Sequence, residues 1–226
     1  MQGRQDVTTG SDLSLHEQLL LLSLHDDRGT VRGYYTSAIG GALLAELVLS
    51  NRVRLEPGKR HSLVTLVDGS RTGDSLLDEC INMIAGAKRR TSPAGWVGHF
   101  SSIRHLVDRI AKPLADRGIL HREKSRLLWI FRRTVYPTSN PGPETQLTKA
   151  IGEAIEREGP VDTRLAVIIG VAHSTELLNL VFPRDLLKRR KKRIEEIVKM
   201  NAVGEATKDA VAAAMTAVFV ASTAGV

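Results

Sequence analysis

The sequence predicts a mainly α fold: amphipathic helices around one central hydrophobic helix at 164–182, with short β-hairpins in two winged-helix-like units. Three observations predict it. In RLAVIIGVAHSTELLNLVF the apolar residues, among them Leu165, Val167, Ile169, Val171, Leu178 and Phe182, run round the whole helix, and a helix apolar on every side belongs inside a core. The other helical segments carry an apolar stripe on one face only. Finally, LLAELVLSNRVRL and IAKPLADRGILHR align as helix, turn at Asn51 or Gly118, then strand. That repetition marks an internal duplication of helix followed by hairpin.

Taken in order, residues 1–12 are polar with no apolar stretch, which predicts a disordered tail and no secretory signal. Residues 13–226 are expected to form one domain. Ser11 or Ser14 caps a first helix over LHEQLLLLSLHDD, and 26–30 turns the chain. A glycine-bearing approach leads to a second helix around 38–49. The alternation Arg52-Val53-Arg54-Leu55-Glu56, the turn Pro57-Gly58-Lys59-Arg60 and the run 62–67 read as a hairpin. Asp74 or Ser75 caps a third helix, SLLDECINMIAGAK, and KRRTSPAG is read as a loop. A helix over 101–117 ends at Gly118. Ile119-Leu120 begins a strand, HREKSR turns, and 127–131 returns. After the Pro/Gly link at 138–143 come a helix near 144–157, the central helix between Gly159-Pro160 and Pro183, a basic helix at 184–200 and an Ala-rich helix at 205–221.

The central helix is not a membrane span. Its polar members His173, Ser174, Thr175, Glu176 and Asn179 interrupt the roughly 20 apolar residues a span requires, and a carboxylate at bilayer depth is disfavoured. The 226 residues are enough for a substantial core. Lys+Arg 32 against Asp+Glu 25 leaves +7, which favours an anionic partner: nucleic acid, an anionic membrane face or a phosphorylated ligand. Aromatic residues make up 4%, too few for a base-stacking platform. The single Cys80 excludes an internal disulfide and fits a reducing compartment.

Catalysis finds little support, and no cofactor or metal is expected. The chain has no Gly-rich phosphate loop after a strand, no zinc spacing and no nucleophile elbow. Cys80 lies in the apolar pattern of its helix and reads as a buried, inert thiol. His173 reads as a satisfied core histidine. Glu17, Glu46 and Asp78-Glu79 sit beside leucines at helical spacing, as solvated edges or as buried pairs at helix contacts. The run Arg189–Arg193, with Arg184 and Lys188 near it, is the densest charge. It reads as a solvated face, with attraction to anionic lipid, about 1 kcal/mol per basic residue, as the sharper alternative. Arg32, Arg104, Arg109, Arg132 and Arg133 are scattered, but arginines that converge recognise phosphate by forked hydrogen bonds. Tyr34-Tyr35 beside Arg32 either covers the core with wet hydroxyls or borders a phosphorylated ring.

Five stretches in order, LSLHEQLLLLSLHDDRGT (13–30), GALLAELVLSNRVRLE (41–56), TGDSLLDECINMI (72–84), RIAKPLADRGILHREKSRLL (109–128) and the central helix, resemble the Golgi phosphoprotein 3 (GPP34) family. Its members bind phosphatidylinositol 4-phosphate. The resemblance implies a non-catalytic peripheral membrane adaptor, cytoplasmic and membrane-associated, with possible client proteins. It also implies that a hairpin at 120–135 serves self-association into a homo-oligomer and membrane contact. In eukaryotic members a tryptophan and an arginine near the second helix, with two arginines one turn apart in a later helix, hold the headgroup. Here the tryptophan position falls on Tyr34 or Tyr35 and the first arginine on Gly40. Of the paired arginines, the first matches Arg104 and the second falls on Val107. A hydrogen bond to a charged group contributes about 1.5–3 kcal/mol, so two missing arginines weaken binding by orders of magnitude unless Arg32 or the 184–193 run compensates. The long basic N-terminal region of Golgi members has no counterpart, as expected of a compact prokaryotic-type relative.

Two readings compete with lipid recognition by Arg104, Arg32, Tyr34 and Tyr35. A winged-helix nucleic-acid binder needs a basic recognition helix, and LLAELVLS has no Lys or Arg, so nucleic acid is the less favoured partner. A protein–protein module would use the winged units as architecture only.

Overall fold

The computed structural model describes residues 13–24, 30, 35–58, 62–127 and 131–199. The tail at 1–12 and the helix expected at 205–221 lie outside them. The chain runs α1 (Leu15–Ser23), α2 (Tyr35–Leu49), β1 (Val53–Glu56), β2 (Leu63–Leu66), α3 (Ser75–Ala85), α4 (Pro93–Ser101), α5 (Leu106–Asp116), β3 (Glu123–Leu127), β4 (Phe131–Val135), α6 (Gly142–Glu156), α7 (Thr163–Ser174), α8 (Leu178–Val181), α9 (Arg184–Arg189) and α10 (Lys191–Val198). The fold is mainly helical with two small antiparallel sheets, β1–β2 and β3–β4, in agreement with the expected class.

The core is shared more widely than one rod. Every residue of α1 is buried, as is α2 from Ala38 to Val48 and α7 from Ala166 to Ala172. These three helices touch one another, and α4 lies on α2 while α10 lies on α7. The expected continuous helix over 164–182 is corrected: α7 stops at Ser174, Glu176 takes a left-handed φ of 61°, and a short α8 follows. Ser174 and Thr175 hydroxyls donate to the carbonyls of Gly170 and Val171 at 2.8 Å each, closing the last turn. Such back-bonding bends or ends helices.

The duplicated unit is present twice. After α2, Asn51 (φ 55°) turns the chain into β1, with Val53 opposite Leu66 and Glu56 opposite Leu63. After α5, Gly118 (φ 73°) turns it toward β3, with Glu123 opposite Val135 and Leu127 opposite Phe131. Only glycine adopts such a φ without steric penalty. The second hairpin lies further along the chain than expected. HREKSR is not its turn, since 123–126 are strand, and Leu120 makes only an isolated bridge to Thr138.

A helix was missed in KRRTSPAG and its neighbour. Ser92 accepts from the Gly95 N–H at 3.2 Å and Pro93 opens α4, the N-cap and first-turn proline signature. His105, at φ 57°, then precedes α5, so the helix expected over 101–117 starts later, at Leu106, and Ser101 is instead the last residue of α4. The basic segment divides at Arg190 into α9 and α10.

The expected Asp74 cap of α3 is present. Its carboxylate accepts from the N–H groups of Leu76 (2.7 Å) and Leu77 (3.2 Å) and lies 3.2 Å from Nε2 of the buried His16. Burial alone would raise this carboxyl, but the hydrogen bond and charge of His16, with the two amides, outweigh it and hold it at about 2. A depressed carboxyl stabilises the fold above the unfolded value of about 4 and loses that contribution as pH falls toward 2. Asp74→Ala is expected to destabilise by about 1–2 kcal/mol at neutral pH in urea denaturation. The gap to the parent should close as the acid limb is descended.

Candidate functional site

Gly40 decides how closely α2 and α4 meet. A Cβ there would stand 2.6 Å from the Val97 carbonyl oxygen and would also collide with the Ser101 hydroxyl. Because no side chain intervenes, the Ser101 hydroxyl lies within hydrogen-bonding distance of the Thr36 carbonyl across the contact, at 2.9 Å, as well as of the Val97 carbonyl on its own helix, at 2.6 Å. The His105 turn then starts α5 beside the start of α2. Between these helix starts, the end of α4 and the segment leaving β4 lies a cleft of about 420 Å³. Tyr35, Ser101, His105, Val107, Asp108 and Tyr136 are among its walls. The first N–H groups of a helix lack intrahelical acceptors and carry partial positive charge, and both α2 and α5 begin here.

One wall is negative. Asp108 accepts a hydrogen bond from the Tyr136 hydroxyl on Oδ1 at 3.0 Å, and its Oδ2 lies 3.8 Å from His105 Nδ1. Burial, then the hydrogen bond to Asp108 and its charge, push the Tyr136 phenol up to about 12, with Arg122 opposing. At neutral pH Tyr136 therefore stays protonated and keeps donating.

Of the residues singled out from sequence, Tyr35 lines the cleft. Arg104 is exposed between two lining residues, Ile103 and His105. Arg32 and Tyr34 lie outside the described residues. Val107, at the position of the family's second paired arginine, lines the cleft, whereas Gly40 is buried in the α2–α4 contact. Sequence reasoning missed Ser101, His105, Asp108 and Tyr136. One signal was available: Asp108 is an acidic residue at a first-turn position of α5, four residues beyond Arg104 in sequence.

The other groups weighed for chemistry are occupied structurally. Glu17 pairs with Arg117, Glu79 with Arg109, and Asp78 accepts from the Thr72 N–H and hydroxyl. Glu46 binds Arg164 through both oxygens, at 2.7 and 3.0 Å, and also accepts from the Leu15 N–H at 2.8 Å. Ser14, His16 and Asp74 form no relay, because Ser14 and Asp74 both meet His16 at Nε2 while buried Nδ1 has no partner among the described residues. A triad needs the two on opposite ring nitrogens. Cys80 is buried, and burial with the Glu79 and Asp74 charges raises its thiol far above the ordinary range, so it is inert. His173 is exposed, which corrects the expected core histidine. The basic run is not uniformly free either. Arg193 is buried and donates to the carbonyls of Ala154 and Gly159, and Arg189 pairs with Asp185 at 2.7 Å. Among the described residues no group of three metal-ligating side chains gathers, and no helix is long and apolar enough to cross a membrane.

The pattern of the Golgi phosphoprotein 3 (GPP34) family matches residues 15–214, which takes in every helix and strand above. The chain belongs to the Golgi phosphoprotein 3 family. One curated relative is vacuolar protein sorting-associated protein 74 of Eremothecium gossypii, 27% identical over 173 residues, 66% of this chain. The chain spans about half the length of that relative, 51%. Within the family frame, the α2–α4–α5 cleft carries Tyr35, Val107 and the neighbours of Arg104. Two of the positions that the resemblance implied, Tyr35 and Val107, thus line one cleft from segments that are remote in sequence.

Proposed function

We propose that this chain is a non-catalytic peripheral membrane adaptor that takes a phosphoinositide of the phosphatidylinositol 4-phosphate type, or another anionic phospholipid headgroup, in the α2–α4–α5 cleft. The observation that carries this reading is the meeting of Tyr35 with the segment around Arg104 at two helix starts. Arg104 supplies the charge-assisted hydrogen bond to phosphate, Tyr35 borders the ring, and first-turn amides complement the anion. Arg32 and Tyr34 precede α2 directly and complete the proposed set. The 120–135 hairpin is proposed as the element for self-association and membrane contact, and client proteins as further partners.

Nucleic-acid binding by the first winged unit is disfavoured by a specific observation. A groove reader presents its recognition helix to solvent, and α2 is buried from Ala38 to Val48.

Liposome flotation at moderate salt tests the proposal. The parent should float with liposomes containing anionic phospholipid and stay behind with purely zwitterionic ones. Arg104→Ala should weaken recovery about tenfold or more, the loss of one charge-assisted hydrogen bond. No recovery on any anionic liposome, or full recovery by Arg104→Ala together with Tyr35→Ala, would overturn it.

A further inference from the structure

The cleft proposed for an anionic headgroup contains a fixed carboxylate, which needs a role. Asp108 stands in the first turn of α5 with 47% of its side chain exposed, yet it is not free to swing into water. Its Oδ1 is the acceptor for the Tyr136 hydroxyl, and Tyr136 is only 2% exposed. Turning Asp108 away would strand that buried hydroxyl, which is unfavourable. A negative charge is therefore pinned to one side of a cleft, with His105 Nδ1 3.8 Å from it and Tyr35, Ser101 and two helix starts among the other walls. Like charges brought together in a partly desolvated site repel strongly. One phosphate can stay on the Arg104 and Tyr35 side. A second phosphate on the same ring that turns toward the start of α5 meets the carboxylate, because Asp108 forms that part of the wall.

We infer that Asp108, held by Tyr136, is a specificity-determining residue that rejects headgroups carrying a second phosphate. The inference rests on the headgroup reading and adds to it a discriminating residue outside the arginine and aromatic positions. Asp108 acts by exclusion: it weakens the wrong ligand more than it strengthens the right one.

The test uses the full chain and phosphatidylcholine vesicles doped with either a monophosphorylated or a bisphosphorylated inositol lipid, read by co-sedimentation. Asp108→Asn keeps an acceptor for Tyr136 and removes the charge. It is expected to raise affinity for the bisphosphorylated vesicles about tenfold while changing the monophosphorylated case by less than about threefold, the size of one like-charge contact near a protein surface. Tyr136→Phe keeps the charge but frees it, and should relax the discrimination part-way. Glu153→Gln makes the same change in net charge on α6, which contributes no residue to the cleft wall among the described residues, and should leave the ratio unaltered. An unchanged ratio in Asp108→Asn, or an equal rise on both vesicles matched by Glu153→Gln, overturns the inference while leaving lipid binding intact. If the parent binds neither vesicle, the headgroup reading itself falls and takes this with it.

Discussion

Replacing Glu46 with alanine is expected to lower stability by about 2–4 kcal/mol, the largest loss from any single polar side chain described above. The carboxylate is 12% exposed and joins three helices: it belongs to α2, holds the Arg164 fork at the start of α7, and accepts from the first N–H of α1. Breaking a buried ion pair by removing one partner costs about 3–5 kcal/mol. The lower figure applies because Arg164 is 40% exposed and water can reach its guanidinium. Arg164→Ala should cost a similar amount, since it leaves the carboxylate nearly dry with only the Leu15 amide. Urea denaturation of both single variants and the double variant checks this. The double should cost clearly less than the two singles added together, as expected of residues that share one interaction. Strict additivity would show that the pair does not couple.

Adding a single methyl at Gly40 is expected to cost about 3 kcal/mol, at the upper end for overpacking a core, or roughly 6–12 °C in Tm for a chain of this size. One of the two atoms a Cβ would strike is the Val97 carbonyl oxygen at 2.6 Å, which is backbone of α4 and cannot rotate aside. The other is the Ser101 hydroxyl. Gly40→Ala combined with Ser101→Ala should therefore recover less than half of the lost Tm. Recovery to the parent value would mean that the backbone contact is slack. Because α2 and α4 frame the cleft, the same variant is expected to weaken liposome recovery more than its fraction unfolded explains.

Local rules carried much of this fold. Asp74 before SLLDECINMI had both the cap chemistry and the apolar stripe, and it caps α3 as expected. Val53 to Glu56 alternate, the run Leu63 to Leu66 returns after Pro57-Gly58, and the two strands pair. Where a residue's neighbours in sequence were not its neighbours in space, the reading failed. The RLAVIIGVAH stretch is apolar all round, and the pattern runs on through LLNLVF. Nothing in that pattern marks the hydroxyl back-bonds of Ser174 and Thr175 that end the helix early. Arg193 looked like one cation in a run of five, but it is buried on the carbonyls of Ala154 and Gly159, 39 and 34 residues earlier. The proposed site was half legible. Tyr35 and Arg104 stand out by residue type and by family resemblance, whereas Asp108 and Tyr136 are ordinary in a sequence until they meet.

By itself the sequence determined the helical class, the twice-used helix-and-hairpin unit, the Asp74 cap and the absence of zinc spacing or a phosphate loop, because each depends on periodicity or on contacts a few residues apart. Tertiary structure alone decided that three helices share the interior, that Glu46 ties them together, and that a carboxylate faces the proposed anion cleft. Those outcomes depend on which distant side chains are brought within hydrogen-bonding distance. Spacing along the chain carries no record of that.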